Sequence, residues 1–272
     1  MKLDNRRTVL VGLAFLSICA FWQMYDNIIP LILTNTFHLN ETVSGAIMAA
    51  DNVLALFLLP FFGALSDRTS TKIGRRMPFI LGGTVCAVVL MNLLPIFDNG
   101  YAATGERGKL VLFVVALGLL LVAMGTYRSP AVALMPDVTP KPLRSRANAI
   151  INLMGAVGGI LYLAAAAVLY PNSKTAGAAH VNYQPLFVVV SVLMAVSVIV
   201  LYLTTNEPKL AAAEKEYEAA HPEQQLAEEE ADGHEELPKP VKRSLLMLLF
   251  SIALWYIGYN GVTTVSYTHL RA

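Results

Sequence analysis

Seven apolar stretches, each about as long as a bilayer is thick, dominate this sequence and leave few folds open to it. They cover residues 9–33, 44–65, 78–97, 110–135, 147–170, 183–204 and 244–265. An α-helix needs about 20 apolar residues to cross the hydrocarbon core, and lipid offers no partner to a bare peptide group, so each run predicts a membrane helix. Composition agrees: of 272 residues, 56% are hydrophobic and 14% charged, far from the usual balance of a soluble domain. The first run is too long, and too interrupted by Gln23, Asp26 and Asn27, to be a cleaved signal peptide.

Charge sets the expected orientation. Lys2, Arg6 and Arg7 precede the first run, and alternate connections hold Arg68, Lys72, Arg75 and Arg76, then Lys141, Arg144 and Arg146. The opposite connections carry Arg107, Lys109 and Lys174, so the positive-inside bias predicts a cytoplasmic amino terminus in a plasma or inner membrane. A seven-span receptor would usually place that terminus outside. The net charge of +1 hides an acidic stretch, residues 206–243, rich in Glu and holding Pro208, Pro222, Pro238 and Pro240. Such a composition predicts a disordered cytoplasmic linker, with a short helix near 211–220 as the alternative. The expected organisation is a six-helix bundle over 1–205, this linker, a seventh helix over 244–265 and a non-native tail over 266–272.

The connection between the second and third runs has its own pattern: Gly63, Asp67 and Arg68, then Gly74, Arg75 and Arg76. One glycine lets helices approach, the second permits a turn, and Asp67 is placed to cap a helix or pair with an arginine. This resembles the signature loop of the major facilitator superfamily. The resemblance implies an all-α integral membrane protein built from two six-helix halves joined by a long cytoplasmic loop, with this chain holding the amino-terminal half and one further helix. It also implies a cytoplasmic gating motif of Gly63, Asp67, Arg68, Gly74, Arg75, Arg76 and Asp137.

Three ionisable residues interrupt the apolar runs: Asp26, Asp51 and Arg128. Each costs about 2.5 to 3.5 kcal/mol at mid-membrane and needs water or a partner. Cys19, Gln23, Asp26, Asn27 and Pro30 share one face of the first helix, and Asp51 with Asn52 lies at a similar depth on the second. The two acids are candidates for a proton site, although a sodium ion would suit the same residues. Arg128 either reaches the inner interface or offers a planar donor fork to sugar hydroxyls or a carboxylate. On the fifth helix Asn148 and Asn152 stand open between binding and structure, while Gly155 and Gly159 form a packing face. Trp255, Tyr256, Tyr259 and Asn260 suit sugar recognition or interfacial anchoring.

Other chemistry is not expected. Cys19 and Cys86 lie inside spans as packing residues, and no zinc spacing exists. His38, His180, His221 and His234 fall outside the spans, so a histidine proton relay is not expected, and no nucleophile has a base beside it.

A narrower likeness follows. Ser66, Asp67 and Arg68 with the run Gly74 to Ile80, and the fourth-helix exit with Pro130, Pro136, Asp137, Thr139, Arg144 and Arg146, are similar to sucrose carriers and their relatives among glycoside-pentoside-hexuronide:cation symporters. Melibiose-type members tend to carry an acid two residues before the equivalent of Pro130, where this chain has Arg128. The resemblance therefore implies sugar symport coupled to protons rather than sodium, with no cofactor and no resident metal. The expected partners are a sugar, membrane lipid and the carboxy-terminal half of the same protein, and nucleic acid is not expected. Drug efflux is the alternative within the superfamily.

Overall fold

The computed structural model describes residues 4–171, 178, 180–220 and 239–269, with backbone alone at 215, 218, 219, 239, 240 and 259–269. All its regular structure among the described residues is helical: α1 Asn5–Leu31, α2 Glu41–Arg68, α3 Met77–Thr104, α4 Arg107–Asp137, α5 Arg144–Leu169, α6 Gln184–Thr204, α7 Glu207–Ala220 and α8 Lys239–His269. Seven of them, all but α7, are long and apolar enough to cross a membrane. Most run several residues past the apolar windows of the sequence, because a hydrogen-bonded helix continues into the polar interface.

Local chemistry sets the boundaries. Asp4 caps α1 by accepting from the Arg7 amide at 3.1 Å, and Asn40 caps α2 through the Val43 amide at 2.8 Å. Gly105, at φ +67°, ends α3 in the left-handed conformation that glycine adopts without strain. Near the far end of α1, Pro30 is followed by a π-helical turn, Ile32–Thr36, which turns Thr36 inward.

The unit over Met1–Ala220 has α1 at its centre, against α5 and α6, with α3 packed on α4 and α6, and α2 on α4. Small residues set the α1–α5 crossing. A Cβ on Gly158 would stand 2.0 Å from the Leu16 carbonyl oxygen, and one on Gly155 would stand 2.8 Å from Cys19 Sγ. Gly158, rather than Gly159, is therefore the tightest point of a face read from the sequence as Gly155 and Gly159. Phe21, Met24, Tyr25, Phe113, Tyr127 and Phe187 fill the core. Tyr127 fastens α4 to α1, donating to the Ala14 carbonyl at 3.0 Å and pairing with the Ser17 hydroxyl. Outward-facing α2 leaves Val53, Leu56, Phe57 and Phe61 exposed, as lipid-facing or partner-facing apolar residues are. Cys86, read from the sequence as a packing residue, is exposed on α3.

The acidic stretch departs from the expected linker at its start. Residues 207–220 form α7, which opens with Asn206 accepting from the Lys209 amide at 3.1 Å and with Pro208 in its first turn. The unit boundary falls after Ala220, and the rest of the linker through 238 lies outside the described residues. The second unit contributes α8, a single helix that begins ahead of 244 and continues through the first residues of the expected tail.

Candidate functional site

Two polar regions stand out in the first unit, one within the membrane spans and one at the α2–α3 loop. Within the spans, Gln23 and Asp26 are exposed on α1, Asp51 and Asn52 lie on α2, Asn148 and Asn152 are exposed on α5, and Arg128 is half-buried on α4. Asn27 turns back on its own helix, its Nδ2 donating to the Gln23 carbonyl at 2.6 Å. Asp51 Oδ1 accepts from the Asn52 amide at 2.6 Å and from its side chain at 2.8 Å. The charge of Asp51 acts on Asp26, and that of Arg128 acts on Asp51 and Cys19.

Arg128 is held by an aromatic ring. Its guanidinium lies 5.5 Å from the Trp22 ring centroid, a cation–π distance, and among the described residues it has no ion pair. Trp22 in turn meets Tyr25 edge to face at 5.3 Å, and both the Trp22 Nε1 and the Tyr25 hydroxyl are buried without a hydrogen-bond partner among the described residues. This aromatic shelf was missed in the sequence, where neither residue was singled out. A signal existed in the spacing, because Trp22, Tyr25 and Asp26 lie three and four apart on one helix. Tyr259 and Asn260 lie in α8, where only the backbone is described, so their side chains lie outside the described residues.

The loop region is built around one buried guanidinium. Arg76, 5% exposed, donates Nε to Asp137 Oδ2 at 2.8 Å and Nη1 to the Ser66 hydroxyl, and its Nη2 pairs with Asp67. Arg75 adds a second ion pair to Asp137 Oδ1 at 2.9 Å. One carboxylate is thus shared by two arginines, tying the end of α4 to the start of α3, while Ser66 and Asp67 bring in the end of α2. Gly63 contributes its carbonyl, 3.4 Å from Arg76 Nη1. Arg68 is exposed at the end of α2 and stands outside this network among the described residues.

Glu207 completes the network, and the sequence reading missed it. Its carboxylate, 2% exposed, accepts from the backbone amides of Arg75 at 2.8 Å, Arg76 at 2.9 Å and Met77 at 2.9 Å. These amides open α3 and have no partner within the helix, so an anion suits them on hydrogen-bonding and dipole grounds alike. Gly74, at φ +117°, makes room: a Cβ there would lie 2.2 Å from Glu207 Oε2. The Asn206, Glu207, Pro208 sequence was the available signal, since it marks a helix start.

The Major Facilitator Superfamily description matches residues 11–271. The chain belongs to the Major Facilitator Superfamily. Within that superfamily it is similar to "Sucrose transport protein SUC3" of Arabidopsis thaliana, 32% identical over 146 residues, covering 48% of this chain and 24% of that protein. A second relative, "Sucrose transport protein SUC4" of Arabidopsis thaliana, is 36% identical over 114 residues, 39% of this chain and 22% of that protein. "Putative glycoside/cation symporter YagG" of Escherichia coli (strain K12) is 25% identical over 191 residues, 70% of this chain and 40% of that protein. The matched part thus amounts to about a quarter of each sucrose transport protein. As a superfamily member with seven helices of membrane-crossing length, the chain is an integral membrane protein.

Proposed function

We propose that this chain forms part of a secondary active transporter that carries a di- or oligosaccharide or glycoside together with a proton by alternating access. The observation that carries the reading is the placement of Arg128. Its five N–H donors are free of any ion pair among the described residues, its guanidinium carbon lies 5.5 Å from the Trp22 ring centroid, and its charge acts on Asp51, whose charge acts on Asp26. A guanidinium offers a rigid fork to paired hydroxyls, and a half-buried acid within reach of a second acid is suited to take up and release a proton. The printed names of the relatives, sucrose transport proteins and a glycoside/cation symporter, support the same substrate class.

Asp26 and Asp51 carry the coupling proton in this reading, and Arg128 orients the sugar, with Gln23, Asn52, Asn148 and Asn152 as further hydroxyl partners. The Arg76 network acts as the latch at the α2–α3 loop end, with Asp67, Arg75 and Asp137 as its changeable partners. Sugar affinity then comes from hydrogen bonds and aromatic faces where two bundles meet. The test is uptake of labelled sucrose and related glycosides into proteoliposomes holding the full-length transporter, under an imposed proton or sodium gradient. Accumulation driven by the proton gradient supports the proposal. Absence of sugar flux under both gradients overturns the substrate class, and accumulation driven by sodium alone overturns the ion.

A further inference from the structure

At the end of the first unit opposite the arginine network, a buried acid stands outside the proposed coupling site. Asp98 of α3 is 0% exposed, and neither carboxylate oxygen has a hydrogen-bond partner among the described residues. His180 Nε2, on the segment leading into α6, lies 3.9 Å from Asp98 Oδ2. The same ring meets Asn99 Oδ1 through Nε2 at 2.8 Å and the Thr36 hydroxyl through Nδ1 at 3.3 Å. Thr36 also acts on the Asp98 carboxyl.

Backbone chemistry fixes the protons in this cluster. The Gln184 amide can only donate, so the Asn182 atom it meets at 2.9 Å is the carbonyl oxygen. That oxygen also faces the Asn99 side chain at 2.9 Å, which must therefore present its NH₂ there. Asn99 then turns its own oxygen to His180, and Nε2 carries a proton. The variable position is Nδ1. With Nδ1 bare, the Thr36 hydroxyl donates to the ring and Asp98 has no donor. With Nδ1 protonated, the ring donates to Thr36, whose hydroxyl is free to turn to Asp98.

We propose that Asp98, Thr36 and His180 form a proton-binding site, distinct from Asp26 and Asp51, that holds one proton and thereby clasps the start of α6 to the ends of α1 and α3. A bare carboxylate in a buried place without donors is strongly disfavoured, so the closed cluster keeps one proton, either on Asp98 or on the imidazolium paired with it. Other charged or titratable groups on the elements packed here are Lys109 of α4, running along Gly100, Tyr101 of α3, Tyr170 closing α5, and Tyr183 opening α6. Among the described residues His180 alone forms an ion pair with Asp98. The site lies about 15 Å along α1 from Asp26, from the ten-residue separation to Thr36. It stands independently of the sugar assignment.

The sign of the pH dependence follows from proton counts. With the clasp open and both side chains in water, the pair carries one proton between about pH 4 and 6.5 and none above it. The closed clasp holds its proton to higher pH than the open pair does, so rising pH above about 6.5 favours opening, by up to about tenfold per unit while that proton stays bound, and leaves the balance level below. The experiment is amide hydrogen exchange on the full-length transporter in lipid nanodiscs, from about pH 5.5 to 9. It is read at Leu186 and Phe187, whose amides bond to the Tyr183 carbonyl, after correction for intrinsic exchange. The expected result is protection that is level at first and then falls with rising pH, by up to about tenfold per unit, with the slope abolished in Asp98→Asn. Protection that does not vary across the range, or an unchanged slope in Asp98→Asn, overturns the proposal. Should Asp98→Asn fail to fold, His180→Gln replaces it: its open state has lost its proton by about pH 4 while buried Asp98 keeps one, so protection that falls from the start of the range without a level part supports the site, and an unchanged profile overturns it.

Discussion

The arginine network at the α2–α3 loop and the polar face within the spans contain similar residues used in opposite ways. Around Arg76 the strong donors and acceptors are matched: two carboxylates, one hydroxyl and a carbonyl take up the guanidinium, and Glu207 takes up three backbone amides. Around Arg128 the matching is withheld. A cation lies on an aromatic ring within electrostatic reach of an acid, but without an ion pair among the described residues. Satisfied networks hold a conformation, whereas groups kept apart at close range are available to a ligand or a proton. In the proposed function, the loop holds and the spans exchange.

The loop gives the largest expected effect. Replacing Arg76 with alanine leaves Asp137 with Arg75 alone and the Ser66 hydroxyl facing a buried void, which should cost about 2 to 4 kcal/mol. Thermal unfolding in detergent should show it, with Arg76→Lys recovering little because an ammonium cannot reproduce the fork. In the spans, Arg128→Lys should leave the melting temperature near that of the parent while lowering sugar uptake by about a hundredfold, close to 2.7 kcal/mol. A large drop in stability without a selective loss of uptake would turn Arg128 into a second structural arginine and erase the contrast.

Smaller effects sharpen the picture. Gly158→Ala forces α1 and α5 apart at the Leu16 carbonyl and should cost about 1 to 3 kcal/mol in the same unfolding measurement. Glu207→Gln keeps the shape of the α3 cap but removes its charge, for an expected loss of about 1 to 2 kcal/mol. Arg68→Ala should change stability by less than about 0.5 kcal/mol, although Arg68 belongs to the same sequence motif as Arg76. Equal effects at Arg68 and Arg76 would show that position in the motif, rather than burial, sets the energetics.

The sequence made the seven spans and the cations of the loop legible, because hydropathy and charge are local properties. It was less informative wherever distant residues meet. Glu207 is 130 residues from Met77, and no local rule joins them, although Asn206 and Pro208 announced a helix there. Trp22 went unread, because an apolar ring carries no mark of the cation above it. Asp98 lay just beyond the apolar window ending at 97, yet α3 continues to Thr104 and buries it. His180, outside every span, gave no sign that folding would bring it to Asp98.

Sugar-induced proton movement tests the division of labour most directly. Sucrose added to lightly buffered vesicles holding the full-length transporter should alkalinise the medium as protons enter with sugar. The account predicts that Asp26→Asn abolishes this signal while sugar exchange across the membrane continues, and that Arg68→Ala leaves the signal intact. An undiminished alkalinisation in Asp26→Asn would contradict the assignment of the exposed acid on α1 to the coupling proton.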